Sequence, residues 1–300
     1  MKTKKLFSGR LRYSLFDFVN VFIMLVIIVL TLYPFWYVVV GSFNDGTDYL
    51  LRPTVFWPSR FTLVNFQAVF RYKALPQAFL ITVSRTALGT VLHIFVTSLF
   101  AYAISRPELI ARKLYTTLGL ITMFFGGGLI PYYLVIATLG LTNTFWVYII
   151  PGVFSFWNAI IFRSFFSQLP DSLIEVSRIE GAGEYRIFFT IIMPLSTPVF
   201  AALSLFTAIG HWNSFFDSML YTHDNNLQTA QLFLMKLIKS TQTAAQMAQE
   251  LNTRPDQLET VTTLSVQLAT MVTITTPILV LYPFLQRFFV KGLMIGSVKG

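Results

Sequence analysis

Between Phe18 and Val40 the chain runs for 23 residues without one charged side chain. About 20 apolar residues in a helix span the ~30 Å hydrocarbon core of a bilayer. Inside that core every backbone N–H and C=O must find its partner within the protein, so a lone apolar segment has to be helical. The run is longer than the apolar core of a secretory signal and lacks a small-residue cleavage site, so it reads as a membrane helix that is kept. Five later segments have the same character: Phe79 to Ile104, Leu114 to Leu139, Phe145 to Phe166, Pro194 to Leu220 and Val266 to Phe289. The sequence therefore predicts an all-α, polytopic membrane protein with six transmembrane helices. Composition agrees, because only 12% of residues are charged while 55% are hydrophobic, against about 25% charged in a soluble domain. Cysteine is absent, which excludes disulfides, thiol catalysis and thiolate-ligated metal.

The net charge of +9 is a topology signal, with no implication of nucleic acid. Six spans leave both termini on one face. Fourteen of the 22 Lys and Arg then fall on that face, including Lys2, Lys4, Lys5, Arg10 and Arg12 ahead of the first span. The opposite face carries seven in a larger number of residues, and Arg85 lies within a span. The positive-inside rule places both termini in the cytoplasm. Residues 1–17 are then a cytoplasmic segment ahead of a transmembrane domain 18–300. Within that domain, 168–193 form a cytoplasmic loop, 221–264 an external loop and 290–300 a cytoplasmic tail. A short helix is expected around Val64 to Arg71, and another in the TAAQMAQELN portion of the external loop.

The most distinctive stretch is EVSRIEGAGEYRIFFTIIMPLSTP, Glu175 to Pro198. Ser172 and Glu175 have the spacing of a capping box, which would open a short helix. Gly181 is placed to end it in the left-handed conformation. A second short helix leads through Phe188 and Ile191 to Pro194, at the start of the next span. Among chemical motifs, no segment fits G-x-x-x-x-G-K-[ST], and Gly126 to Gly128 lack a following Lys-Ser/Thr. No metalloprotease or nucleophile-elbow pattern occurs. His93, His211 and His223 lie on separate segments, so no metal site is expected. The chain reads as non-catalytic, and its energy must come from elsewhere.

Glu175, Gly181, Ala182, Phe188, Ile191, Pro194 and Leu195 stand at the spacing of E-A-A-x-x-D-G-A-x5-F-x-x-I-x-x-P-L. This resembles the EAA loop of permease subunits of ATP-binding-cassette (ABC) importers. Val176 and Ser177 replace the two alanines, and Glu180 the aspartate. FFGGGLIPYYL, LGLTNTFWVYIIPG, HWNSFFDS and the terminal QRFFVKGLMIGSVKG are similar to carbohydrate permeases of the maltose type. Their nearest likeness is to the subgroup handling complex oligosaccharides and alginate- or pectin-type fragments. The resemblance implies the type I importer permease fold, with Glu175, Val176, Ser177, Glu180, Gly181, Ala182, Phe188 and Pro194 coupling to an ATPase. It also implies a second homologous permease, two ATPase subunits that bind ATP and Mg, an extracytoplasmic sugar-binding protein and a bacterial cytoplasmic membrane. The chain itself then needs no cofactor. A self-sufficient secondary transporter or channel is the alternative. It requires repeated halves or intramembrane carboxylates.

Sugar passage calls for aromatic faces beside amides or carboxylates. Trp212, Asn213, Phe216 and Asp217 supply both near the outer end of the fifth span, where an interfacial aromatic belt is the other reading. Asn158 either lines the pathway or bonds between helices. Arg85 either faces the pathway, where it would suit an acidic sugar, or snorkels to the surface. The glycine run at 126–128 is expected to let helices pack closely.

Overall fold

The computed structural model describes residues 15–52, 56–72, 74–250 and 262–296, with side chains for all of these except 241–250 and 281–296. The basic residues before position 15, the last two residues of TAAQMAQELN and the final four of the chain lie outside the described residues. Among the described residues every regular element is helical. They are α1 (Leu15–Ser42), α2 (Gly46–Leu51), α3 (Val64–Arg71), α4 (Ala74–Ser105), α5 (Arg112–Phe124) and α6 (Leu129–Thr138). Two 3₁₀ turns, Phe145–Tyr148 and Ile150–Gly152, lead into α7 (Phe156–Phe166), then α8 (Asp171–Ile179) and α9 (Glu184–Ile187). A wide π turn at Phe188–Ile192 passes through α10 (Met193–Leu195) to α11 (Thr197–Asn213), α12 (Phe216–Tyr221), α13 (Ala230–Glu250) and α14 (Thr263–Gly296).

Helices α1, α4 and α14 are each long and apolar enough to cross a membrane. Three bent pairs raise the number of candidate spans to six: α5 with α6 at 117°, the 3₁₀ turns with α7 at 49°, and Glu184–Leu195 with α11 at 84°. The all-α fold, with up to six candidate spans, is thus borne out, and the short helix expected at 64–71 is α3.

The third candidate span departs from expectation. Instead of one interrupted crossing, the chain turns through 117° at Gly126–Gly128. A Cβ on Gly126 or Gly128 would meet nothing within 4 Å among the described residues, so these two glycines pack against no other helix of this chain. Gly128 has φ +82°, a left-handed conformation that glycine adopts without a steric penalty. In the external insertion the helix expected at TAAQMAQELN is found over its first eight residues, and it begins earlier than expected, since α13 runs from Ala230 to Glu250. It is seated on α4, where the Ala230 amide donates to Thr82 Oγ1 at 2.8 Å.

The described residues fall into two units, one lying within the bounds Met1–Ala68 and Pro255–Val272, the other within Val69–Arg254 and Thr273–Gly300. In the first, Asn65 Nδ2 donates to the carbonyls of Ser42 (3.0 Å) and Asn44 (2.7 Å). Asp45 caps α2 by accepting from the amides of Thr47 and Asp48. In the second, α4 packs against α7 and α11. Phe162, Phe166, Phe188 and Phe200 form a continuous aromatic cluster, with neighbouring ring centroids 4.7 to 6.5 Å apart. Phe188 is fully buried. Phe188→Ala leaves a hole in this cluster and should cost about 3–5 kcal/mol, read as a lower thermal unfolding midpoint of the purified protein in detergent.

Candidate functional site

Two sites arise in the second unit. The first is the elbow between α8 and α9. Its helix starts at Asp171 with Pro170 as N-cap and no side-chain capping bond. The expected capping box is therefore absent, because Ser172 already lies within the first turn. The other end follows the sequence reading closely. Gly181 has φ +81°, its amide donates to Arg178 O (3.0 Å), and the Ala182 amide donates to Ser177 O (2.9 Å). Those two bonds constitute a Schellman motif.

Of the residues assigned to coupling, Glu175, Val176, Glu180, Gly181 and Pro194 are exposed, while Ser177 and Ala182 are half-buried. Ser177 Oγ donates back to Leu173 O at 2.8 Å. Phe188 is not on the exposed face; it anchors the elbow in the aromatic cluster. Ile179, 86% exposed, and Tyr185 extend the uncovered apolar surface.

Sequence reasoning missed what ties the elbow to α4. Arg178 donates from Nη1 to Glu108 Oε1 (2.9 Å) and from Nε to Glu184 Oε1 (2.9 Å). Glu184 Oε2 in turn accepts from the Tyr102 hydroxyl on α4 at 2.5 Å. Arg106 lies over the Tyr102 ring, 5.2 Å from its centroid, and reaches Asp171 at 3.6 Å. The hydrogen bond from Arg178 holds the Glu108 carboxyl below its ordinary value, and the two glutamates raise Arg178. Since Glu108 is lowered by its partner, this contact is present at neutral pH and is lost only as pH falls through the lowered value. The signal in the sequence was a run of opposite charges on either side of a glycine, at separations no helical period connects.

The second site is a cavity of about 800 Å³ walled by α4, the 3₁₀ turns, α6, α7, α11 and α12. Arg85 stands in it 2% exposed. Its two terminal nitrogens fork onto both Asp217 carboxylate oxygens, with Nη1–Oδ1 at 3.1 Å. The Tyr148 ring faces the guanidinium at 4.5 Å, and Ser214 O accepts at 3.4 Å. Asp217 Oδ1 also accepts from Ser214 Oγ and the Ser218 amide, both at 2.9 Å. Arg85 is thus internally paired and does not snorkel. Expectation had kept Arg85 and Asp217 as separate pathway residues; the fold makes them one fork.

Asn158 lines the cavity and bonds between helices as well, since its Nδ2 lies 2.9 Å from His93 Nε2. His93 Nδ1 lies 2.7 Å from Gly152 O. A carbonyl only accepts, so Nδ1 carries the proton and Nε2 accepts from Asn158. Trp212 turns away from the cavity, 6% exposed, with its indole N–H donating to Ile274 O at 3.2 Å. Asn213 is exposed and accepts from Gln231 at 3.4 Å, and Phe216 is exposed. Sequence reasoning missed Trp157 and His211, which do line the cavity.

No protein-family model matches the chain. LplC of Bacillus subtilis is 36% identical over 95% of each chain. The polygalacturonan/rhamnogalacturonan transport system permease protein YtcP of the same organism is 33% identical over 97% of this chain and 100% of that one. The chain belongs to the permease subunits of sugar ABC transporters. A solved bacterial ABC transporter involved in import of the acidic polysaccharide alginate matches this permease with TM-score 0.83 at 24% identity, over 95% of this chain and 99% of its own. That likeness confirms the importer-permease fold. The permease is a multi-pass membrane protein.

Removing Arg85 alone leaves a carboxylate stranded inside the unit. Arg85→Ala should therefore lower stability by about 3 kcal/mol or more, while Arg85→Leu with Asp217→Leu recovers most of the loss. Thermal unfolding of the three proteins in detergent decides it.

Proposed function

We propose that the chain is the permease subunit of an ATP-driven importer of oligosaccharides, acidic fragments of the alginate or pectin type among them. It works beside a second homologous permease, two ATPases that bind the ATP and Mg, and an extracytoplasmic binding protein. Its termini and the 168–193 loop face the cytoplasm of a bacterial cell. The observation that carries this reading is the elbow: the seven motif positions run from Glu175 on α8 through its Schellman cap at Gly181 and Ala182 to the π turn and α10, with the outer face of α8 uncovered and Phe188 built into the spans. A groove on an ATPase receives α8, and closure of the ATPases shifts it. Arg178, Glu184 and Phe188 pass the shift to α4 and α11, which wall the cavity. The carbohydrate assignment is supported by the names of the relatives, and the acidic class by YtcP and the alginate importer.

The test is copurification with an ATPase together with ATP-dependent uptake. Gly181→Leu puts a branched side chain at φ +81°, at a cost of roughly 1–2 kcal/mol in the left-handed region. It should abolish uptake by at least tenfold while leaving the spans folded. Uptake that persists with no ATPase present would instead establish a self-sufficient transporter. Because the chain lacks cysteine, Ser177→Cys gives a single label site. It should react with a membrane-impermeant thiol reagent only from the cytoplasmic side of inverted vesicles.

A further inference from the structure

The cavity wall holds one Lys or Arg and one Asp or Glu, Arg85 and Asp217, and they are spent on each other. What remains open on that wall is neutral and polar, beside an aromatic face. Trp157 is 63% exposed and lines the cavity. Asn158, the next residue, uses its amide N–H on His93 and leaves Oδ1 without a protein partner among the described residues. His211 lines the same wall, and neither ring nitrogen has a hydrogen-bond partner among the described residues. The ring is seated by a glycine: a Cβ on Gly89 would stand 2.5 Å from His211 Nε2.

We infer that Trp157, Asn158 and His211 form a sugar-ring subsite on this chain that reads hydroxyls, not carboxylates. The indole covers the apolar face of a pyranose. The Asn158 carbonyl oxygen accepts from one hydroxyl, and His211, whose Nε2 edge is seated on Gly89, donates to or accepts from another through Nδ1. A uronate carboxylate finds no uncommitted cation here, so this wall treats acidic and neutral rings alike. Selection on charge then lies with another component of the transporter. Gly89 is a positioning residue, because any larger side chain displaces the His211 ring.

The inference rests on the importer reading above, and one experiment separates the two. Uptake of labelled trigalacturonate, and of the same trisaccharide with its carboxyl groups reduced to alcohols, is measured with the whole transporter. Trp157→Ala, His211→Leu and Gly89→Ala are each compared with the unaltered chain, with ATPase copurification as the check on assembly. Each variant that assembles should lower uptake of every substrate the unaltered transporter accepts, by about tenfold for Trp157→Ala. Trp157→Phe, which keeps an aromatic face, should lose less. Where the unaltered transporter accepts both, the two should fall by the same factor. Assembled variants with undiminished uptake would remove the subsite. A loss confined to the acidic trisaccharide would overturn the hydroxyl reading and make His211 a carboxylate site. An unaltered transporter that moves neither sugar would count against the oligosaccharide reading itself, and the subsite would fall with it.

Discussion

A guanidinium in the middle of an apolar helix has to be answered by something fixed, and here the answer decides how several helices meet. Arg85 on α4 reaches Asp217 at the start of α12, while Tyr148 from the 3₁₀ turns lies against its face. The partner is available because α11 stops at Asn213 and the backbone extends at Ser214. Had the fifth span continued unbroken, the Ser214 carbonyl would be held within the helix and Asp217 would be carried round to another side. The break at HWNSFFDS and the charge at Arg85 are therefore one feature seen from two places in the chain. An ion pair of this kind specifies an arrangement more surely than it stabilises one, since desolvation offsets much of the attraction.

The elbow shows the same dependence between distant residues. A motif phenylalanine on an exposed loop would be an obvious contact for a partner. Phe188 instead points inward and packs among Phe162, Phe166 and Phe200, and the outer surface is left to Val176, Ile179 and Tyr185. The motif thus combines two kinds of position, residues that meet a partner and residues that fasten the elbow to the spans. The chain changes direction after the π turn, at Ser196, where Glu184–Leu195 and α11 meet at 84°.

Much of the fold was legible because bilayer thickness imposes a length on each span and glycine imposes a conformation at Gly181. The apolar runs gave all six candidate spans, α3 was read to the residue, and the end of α8 fell where glycine permits it. Facing was less legible. On α11 the cavity side runs through Leu203, Thr207, Gly210 and His211, the i, i+3, i+4 rows of one helical face. Trp212 follows His211 directly and so lies about 100° round the helix, against α14. Choosing the aromatic residue over the histidine favoured chemistry over periodicity. Arg178 could not have been found that way, since its partners at 108 and 184 are joined only by the folded elbow. The turn at 126–128 was not legible, because glycine serves both close packing and positive φ, and composition does not say which.

Helix α4 is continuous from Ala74 to Ser105, with no proline beyond its first turn. Near one end Tyr102 holds the elbow through Glu184; seventeen residues away Arg85 holds Asp217. At 1.5 Å per residue those attachments are roughly 25 Å apart along a single stiff rod. A tilt of about 3° at the Tyr102 end displaces the Arg85 end by roughly 1 Å, enough to loosen a bidentate fork without bending any helix. The pair inside the cavity and the clamp at the elbow are mechanically in series.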